Sequence, residues 1–239
     1  PTVQKAKPGG ELDIGSIEPG EKVEVIFNKQ SGYGKEAAWQ QAILKSPANQ
    51  EIQIRSSQIG TESLITQIQA TPFTNEGAYS IPLTMVGASG ILQDETYTIH
   101  LRVEKKLVKT SLSTTALSGR VNQPSSFKVL LVNNSSAPVP LRIEPNLPVT
   151  WTQAQQVMVA PQSFQEVTLQ VTPRFAGPKT FDIKIVRADN GTPVETLTGT
   201  LNANPTLRDR YSAGFYGFPF FTISLVAHYL TNSFFSLFL

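Results

Sequence analysis

Histidine and cysteine are the side chains that most often supply a general base, a reactive thiolate or a transition-metal ligand. This sequence of 239 residues contains two histidines, His100 and His228, and no cysteine. His100 is predicted to lie on the alternate face of a strand, and His228 lies inside an uncharged C-terminal run. Neither belongs to a metal-binding motif with helical spacing. We therefore expect no enzyme activity, no catalytic residues, no metal site and no cofactor.

Three weaker candidates for a binding site have alternatives. Residues 31–35 are glycine-rich and end in a lysine, but their spacing differs from that of a phosphate-binding loop, which favours a strand connection. Residues 189–192 are predicted to form a hairpin turn, although a calcium site assembled between loops stays open. His228 could ligate haem or chlorophyll through a ring nitrogen, but a hydrogen bond to a neighbouring helix is the simpler interpretation.

The composition favours β-structure and excludes one class of partner. The chain has 17 prolines, 16 glycines and only 16% charged residues, which is typical of a protein rich in strands and turns. The formal net charge is +2, and no run of Lys and Arg could follow a phosphate backbone. We therefore expect no nucleic-acid partner.

The strands that must position any site fall into two sets. In residues 9–104, apolar residues alternate at Val23, Val25 and Phe27, and such period-two patterns place one face on a core. The predicted strands of this set are 11–17, 22–28, 38–45, 51–55, 64–70, 78–86 and 95–104. Those of residues 105–203 are 111–116, 126–132, 139–144, 156–160, 164–171, 180–186 and 194–202. Trp39 and Trp151 are expected in the two cores.

The second set repeats letters of the first about one hundred residues later. Residues 70–72 (Ala-Thr-Pro) and 171–173 (Val-Thr-Pro) are each followed by a glycine, Gly77 and Gly177. Glu-Thr at positions 95–96 likewise recurs at 195–196. Several matches in one order indicate a duplicated module. Seven strands per hundred residues is typical of an immunoglobulin-like sandwich.

Residues 133–171 also resemble a known family. They contain Asn-Asn at 133–134, Pro-Val-Thr-Trp at 148–151, a Val-x-Val-Ala-Pro turn at 157–161, and an alternating strand that ends before Thr-Pro at 172–173. This pattern resembles the prokaryotic NEW3-type immunoglobulin-like domains, and residues 17–20 form a similar turn in the first set. The resemblance covers residues 10–203 and implies a fold, whereas it says little about activity.

The composition changes abruptly at residue 218. Residues 218–239 carry no charge, and as a helix of about 33 Å they would span a hydrocarbon core of about 30 Å. We predict a single transmembrane helix there, although a buried amphipathic helix of a soluble domain is the alternative. The residues expected at the membrane interface just before it are Arg208, Arg210, Tyr211 and Tyr216.

Polar side chains interrupt this predicted helix on one side. At 100° per residue, five of them fall within an arc of about 140°. Because such groups need partners in hydrocarbon, we predict that this arc contacts another membrane protein. The residues of the arc are Ser224, His228, Thr231, Asn232 and Ser236.

The orientation in the membrane has conflicting signals. Arg208 and Arg210 precede the uncharged run and no charge follows it, so the positive-inside rule places the sandwiches in the cytoplasm. The sequence begins at Pro1 without Met, which fits either a cleaved secretory signal or removal of an initiator Met. A cleaved signal would place the sandwiches outside. The composition of the tandem modules favours the extracytoplasmic side.

The sequence therefore predicts an all-β protein of two tandem immunoglobulin-like β-sandwiches followed by a single C-terminal transmembrane helix. The predicted parts are an N-terminal extension (1–8), two sandwiches (9–104 and 105–203), a juxtamembrane linker (204–217) and the helix (218–239). We expect a non-catalytic accessory or scaffold subunit whose partners are the lipid bilayer and other integral membrane subunits. The alternatives are a free-standing surface protein that binds carbohydrate or another protein, and a module cut from a larger enzyme.

Overall fold

The computed structural model describes residues 7–28, 39–44, 51–59, 63–87, 93–205 and 230–231. Strands make up most of this part of the chain, which confirms the all-β fold class. The strands of the first half are β1 (Glu11–Ile17), β2 (Lys22–Asn28), β3 (Trp39–Leu44), β4 (Ile52–Ile59), β5 (Ser63–Ala70), β6 (Gly77–Gly87) and β7 (Glu95–Val103). Those of the second half are β8 (Val108–Leu112), β9 (Ala116–Arg120), β10 (Ser125–Asn133), β11 (Val139–Pro145), β12 (Gln155–Val159), β13 (Ser163–Val171), β14 (Gly177–Arg187) and β15 (Pro193–Asn204).

Period-two patterns explain why these segments are strands. In β5, Leu64, Ile68 and Ala70 are buried, whereas Gln67 and Gln69 between them are only half-buried. Every second residue of β7, from Tyr97 to Val103, is buried in the same way. Because side chains of a strand alternate between its two faces, each of these strands presents one apolar face to a core.

The first seven strands form two sheets, which we call the first sandwich. One sheet has the order β1-β7-β6-β3 and the other the order β2-β5-β4. β1 runs parallel to β7, with Ile17 opposite Val103, so both strands finish at the same end of the sandwich. This division of strands between two facing sheets is that of an immunoglobulin-like sandwich.

The remaining strands form the second sandwich with a related topology. Its sheets have the orders β13-β10-β8 and β12-β11-β14-β15-β9. The prediction of a single strand at 111–116 is wrong, because the chain changes sheets there. Ser113 N–H donates to Lys128 O of β10, whereas Thr115 O accepts from Thr200 N–H of β15 in the other sheet. The two sandwiches also differ in the pairing of one strand. In the first sandwich β4 pairs with β5, whereas in the second β12 pairs with β11.

Each sandwich has its own hydrophobic core. The first core draws buried residues from both of its sheets, including Ile17, Leu64 and Ile99. In the second core, Phe127 of β10 packs edge-on against Phe181 of β14 with ring centroids 5.0 Å apart. Trp151 also belongs to this core, as predicted. Trp39 begins β3, but its side chain lies outside the described residues.

The repeated letters mark corresponding turns. The first Thr-Pro pair follows β5 and the second follows β13, and Gly77 and Gly177 open the next strand in each sandwich. The hairpin predicted at residues 189–192 is confirmed between β14 and β15. Gly191 has a φ of 72°, and Asn190 Oδ1 accepts a 2.9 Å hydrogen bond from Thr192 N–H.

Little of the C-terminal segment is described. Leu230 and Thr231 are helical and exposed, and the rest of residues 206–239 lies outside the described ranges. Among the described residues, none belongs to a helix with the length and hydropathy needed to cross a bilayer.

Candidate functional site: the junction of the sandwiches and the loops of the second sandwich

Most of the residues predicted to act in the membrane cannot be placed. Thr231 lies in the short described helical segment with its side chain exposed. The other members of the polar arc and the interface lie outside the described residues: Ser224, His228, Asn232, Ser236, Arg208, Arg210, Tyr211 and Tyr216. Their predicted roles remain predictions.

His100 has neighbours that resemble a hydrolase triad in type but not in arrangement. Its Nδ1 is 3.0 Å from Ser80 Oγ, and its Nε2 is 3.5 Å from Glu11 Oε2. These residues come from β7, β6 and β1, whose register brings them together on the outer face of one sheet. The side chains of His100 and Glu11 are 39% and 76% exposed, so solvent is not excluded and the strand N–H groups are engaged in the sheet. We assign this cluster to cross-strand pairing.

The described residues contain no group of three His, Cys, Asp or Glu that could hold a metal ion. The turn considered as a calcium loop already faces a cation. Asp189 Oδ1 accepts a hydrogen bond of 3.4 Å from Arg187 Nε.

A buried arginine joins the two sandwiches. Arg187 is the last residue of β14, and its side chain is 6% exposed. Its Nη1 lies 2.8 Å from Glu18 Oε2 and 2.8 Å from Glu21 Oε1, which belong to the turn between β1 and β2. Carboxylates of the first sandwich therefore neutralise a cation of the second in a place with little access to water.

Both glutamates make further hydrogen bonds that fix their positions. Glu21, with a side chain 1% exposed, accepts from the Ser135 hydroxyl and from the Glu18 N–H. Glu18 Oε1 accepts from the N–H groups of Leu107 (2.6 Å) and Val108 (3.4 Å), where the chain crosses between the sandwiches. Buried carboxylates normally have such partners, because an unpartnered one would lose its hydration without compensation.

Backbone contacts continue the junction around this network. Ser136 N–H donates to Ser16 O at 2.7 Å, and the Ser135 hydroxyl donates to the same carbonyl at 3.4 Å. Ala137, from the loop between β10 and β11, is buried within the core of the first sandwich. Gly15 permits the close approach, because a Cβ at this position would collide with the Ser136 hydroxyl. The junction thus has the packing of a protein interior.

Arg187 keeps its positive charge as pH changes around neutrality. Burial disfavours the charged guanidinium, but the charge and hydrogen bond of Glu21, with Asp189 and Glu18, outweigh it and raise the pKa of Arg187 above its ordinary value. Arg187 therefore remains a cation wherever the protein is folded. Sandwiches connected by a short linker usually move relative to each other unless their interface is well packed. Here the ion pairs and backbone bonds oppose that motion.

Loops at the opposite end of the second sandwich form a second ordered surface. We call this surface, made of residues 120–124, 146–153, 172–179 and 204, the distal end. Thr172 N–H donates to Trp151 O at 2.8 Å, and Asn122 N–H donates to Pro173 O at 2.8 Å. Val121 N–H donates to Asn204 O at 3.0 Å, so the end of β15 is tied to the same loops. Val149 and Phe175 project from this surface, 79% and 68% exposed.

Comparisons with known proteins give matches of low sequence identity. No family model and no curated protein matches the chain. Among solved structures, a family 123 glycoside hydrolase from Clostridium perfringens matches with 7% identity and a TM-score of 0.34, over 42% of this chain and 28% of the hydrolase. A PapD-like domain of human CEP192 matches with 11% identity and a TM-score of 0.29, over 43% of this chain and 89% of that domain. The adhesin InvE of Yersinia pseudotuberculosis matches with 16% identity and a TM-score of 0.31, over 78% of this chain and 56% of the adhesin.

Similarities this low carry no functional argument. Strand order and burial alone define the class, a protein of two immunoglobulin-like sandwiches joined by a buried charged junction.

Proposed function

We propose that this chain is a non-catalytic accessory or scaffold subunit of a membrane protein complex. In this proposal residues 218–239 form the transmembrane helix, and the two sandwiches, relatives of the NEW3-type domains, stand at the extracytoplasmic surface as one rigid unit. The observation that carries the scaffold role is the buried network of Arg187, Glu18 and Glu21. A scaffold must hold its modules in a fixed arrangement, and this network links residues that only the folded pair of sandwiches brings together.

The membrane part of the proposal is supported by the sequence. The charge-free run at residues 218–239 has the length of a spanning helix, and five of its polar residues fall on one arc. In hydrocarbon, the donors and acceptors of His228 and Asn232 would be satisfied by another helix rather than by lipid. A helix that served only as an anchor would have no use for them.

The positions of the exposed aromatic residues favour this function over a carbohydrate-binding surface protein. A sugar-binding face would collect aromatic rings on one side of a sandwich. Among the described residues the exposed phenylalanines are instead dispersed: Phe73 lies in a loop of the first sandwich, Phe164 on the edge strand β13, and Phe175 at the distal end.

Exchange of His228 and Asn232 together for leucine tests the predicted contact with a partner. We expect this variant to stay in the membrane pellet after alkaline carbonate extraction but to copurify less of the partner subunits in mild detergent. Interhelical hydrogen bonds are worth about 0.6–2 kcal/mol each, so loss of two would weaken the association severalfold or more.

The matched control exchanges Val226 and Phe234, which lie on the side of the predicted helix away from the polar arc, for leucine. That pair should leave the copurified set unchanged. If the His228→Leu/Asn232→Leu protein keeps its partners at wild-type yield, the helix is only an anchor and the free-standing surface protein becomes the better account. Release of the wild-type chain by carbonate would remove the membrane part of the proposal altogether.

A further inference from the structure

We propose that the distal end of the second sandwich rests directly on anionic lipid headgroups, with Phe175 and Val149 inserted into the interfacial layer. This inference depends on the proposed function, because it requires the chain to be attached to a membrane. It adds a second, peripheral contact between the folded part of the protein and the bilayer.

Apolar side chains project from a rigid base at this end. Phe175 and Val149 come from different loops, yet both lie beside Trp151. The Trp151 ring centroid lies 6.2 Å from that of Phe175, and the Trp151 backbone N–H donates to Pro148 O, next to Val149. Trp151 itself is buried, so the loops are anchored in the core while their tips stay exposed. Large exposed apolar residues on an ordered surface usually mark a contact with a protein or a membrane.

The charges around these tips have one sign. The distal end contains three cations, Arg120, Arg174 and Lys179, and no Asp or Glu, while the neighbouring carboxylates Glu144 and Asp182 belong to the strands behind it. All three are exposed, and Arg174 Nη1 bonds to the neutral amide oxygen of Asn122. The opposite end of the sandwich, at the junction, contacts the buried Glu21 and the partly buried Glu18 instead. Apolar tips surrounded by cations are complementary to an interface of acyl chains and anionic headgroups.

The path of the chain brings this end closest to the membrane. β15 ends at Asn204, whose carbonyl is bonded to the distal loops, and the uncharged run begins at residue 218. Because β15 points out of the distal end, the segment that leads to the predicted helix starts there and not at the junction. Phe73 of the first sandwich offers a contrast. It follows a Thr-Pro pair as Phe175 does and is 90% exposed, but the whole second sandwich lies between it and the predicted helix in the chain.

Site-specific labelling tests the contact in the intact protein. The chain has no cysteine, so Phe175→Cys and Phe73→Cys each give a single site for a bimane label. The full chain is placed in nanodiscs of phosphatidylcholine, with or without phosphatidylserine and with brominated acyl chains as quencher. We expect roughly twofold or greater quenching at position 175, stronger with phosphatidylserine, and none at position 73. Combined Arg120→Gln, Arg174→Gln and Lys179→Gln exchanges should remove the phosphatidylserine dependence.

Each other outcome is decisive. If the chain elutes with nanodiscs but position 175 is not quenched, the lipid contact is wrong and the anchor stands. A blue-shifted bimane spectrum without quenching would show that protein, either residues 206–217 or a partner subunit, covers the distal end. If the chain does not enter nanodiscs, the proposed function fails first.

Discussion

Replacement of Arg187 by alanine should lower the free energy of unfolding by about 3–5 kcal/mol. The exchange removes the cation that neutralises Glu18 and Glu21 while leaving both carboxylates in the junction. A buried ion without its partner keeps the full cost of its lost hydration, and this cost exceeds the net value of the intact pair. Denaturant unfolding followed by fluorescence and circular dichroism measures the change.

Arg142 provides a matched control for this exchange. Its Nε lies 2.6 Å from Glu144 Oε1, but the two side chains are 48% and 37% exposed. Water replaces such a partner easily, so Arg142→Ala should cost about 1 kcal/mol or less. Equal effects of the two exchanges would contradict a buried junction. A triple exchange, Arg187→Met with Glu18→Gln and Glu21→Gln, should recover part of the loss because the only carboxylate left without its partner is that of Asp189, which is 42% exposed.

Phe127→Ala should be equally severe, at about 3–5 kcal/mol, but confined to the second sandwich. Phe127 is 1% exposed and packs edge-on against Phe181. Gly199 lies against the same rings, since a Cβ there would come within 3.0 Å of Phe181 and 3.5 Å of Phe127. Removal of the ring therefore leaves a cavity in a closely packed region.

Hydrogen exchange locates this effect. In Phe127→Ala the amides of β10 and β13 should lose protection, whereas those of β5 and β7 in the first core should retain most of theirs. Phe164→Ala removes the same side chain from a site that is 75% exposed and should change stability little. Equal loss of protection in both sandwiches would mean that they do not have separate cores.

The strands could be predicted from the sequence because one face of each contributes to a core. β1 and β2 begin and end where the alternation predicts, and most other boundaries differ by a residue or two. The larger errors lie where a strand departs from simple pairing. β4 continues to Ile59 through a register shift between Arg55 and Ser57, and the predicted strand 111–116 divides where the chain changes sheets. Local periodicity contains no information about either event.

The junction was not predictable in the same way. Glu18 and Arg187 are 169 residues apart, and each occupies a place where a charged residue is ordinary, a turn and the end of a strand. Only the end-to-end arrangement of the sandwiches brings them together. Ile185, Val186 and Arg187 are buried in succession at the end of β14, but β6 has the same kind of run from Leu83 to Met85, so this feature does not mark the junction.

The arrangement of the two sandwiches as one rigid unit is the central claim, and a distance measurement between them tests it most directly. Ala78 on β6 and Gln170 on β13 are both exposed. Because the chain has no cysteine of its own, the double variant Ala78→Cys/Gln170→Cys carries spin labels at these two positions only. Double electron–electron resonance should give a single narrow distance distribution, which Arg187→Ala should broaden. A broad distribution in the otherwise unaltered chain would show that the sandwiches move independently, and would contradict the scaffold account.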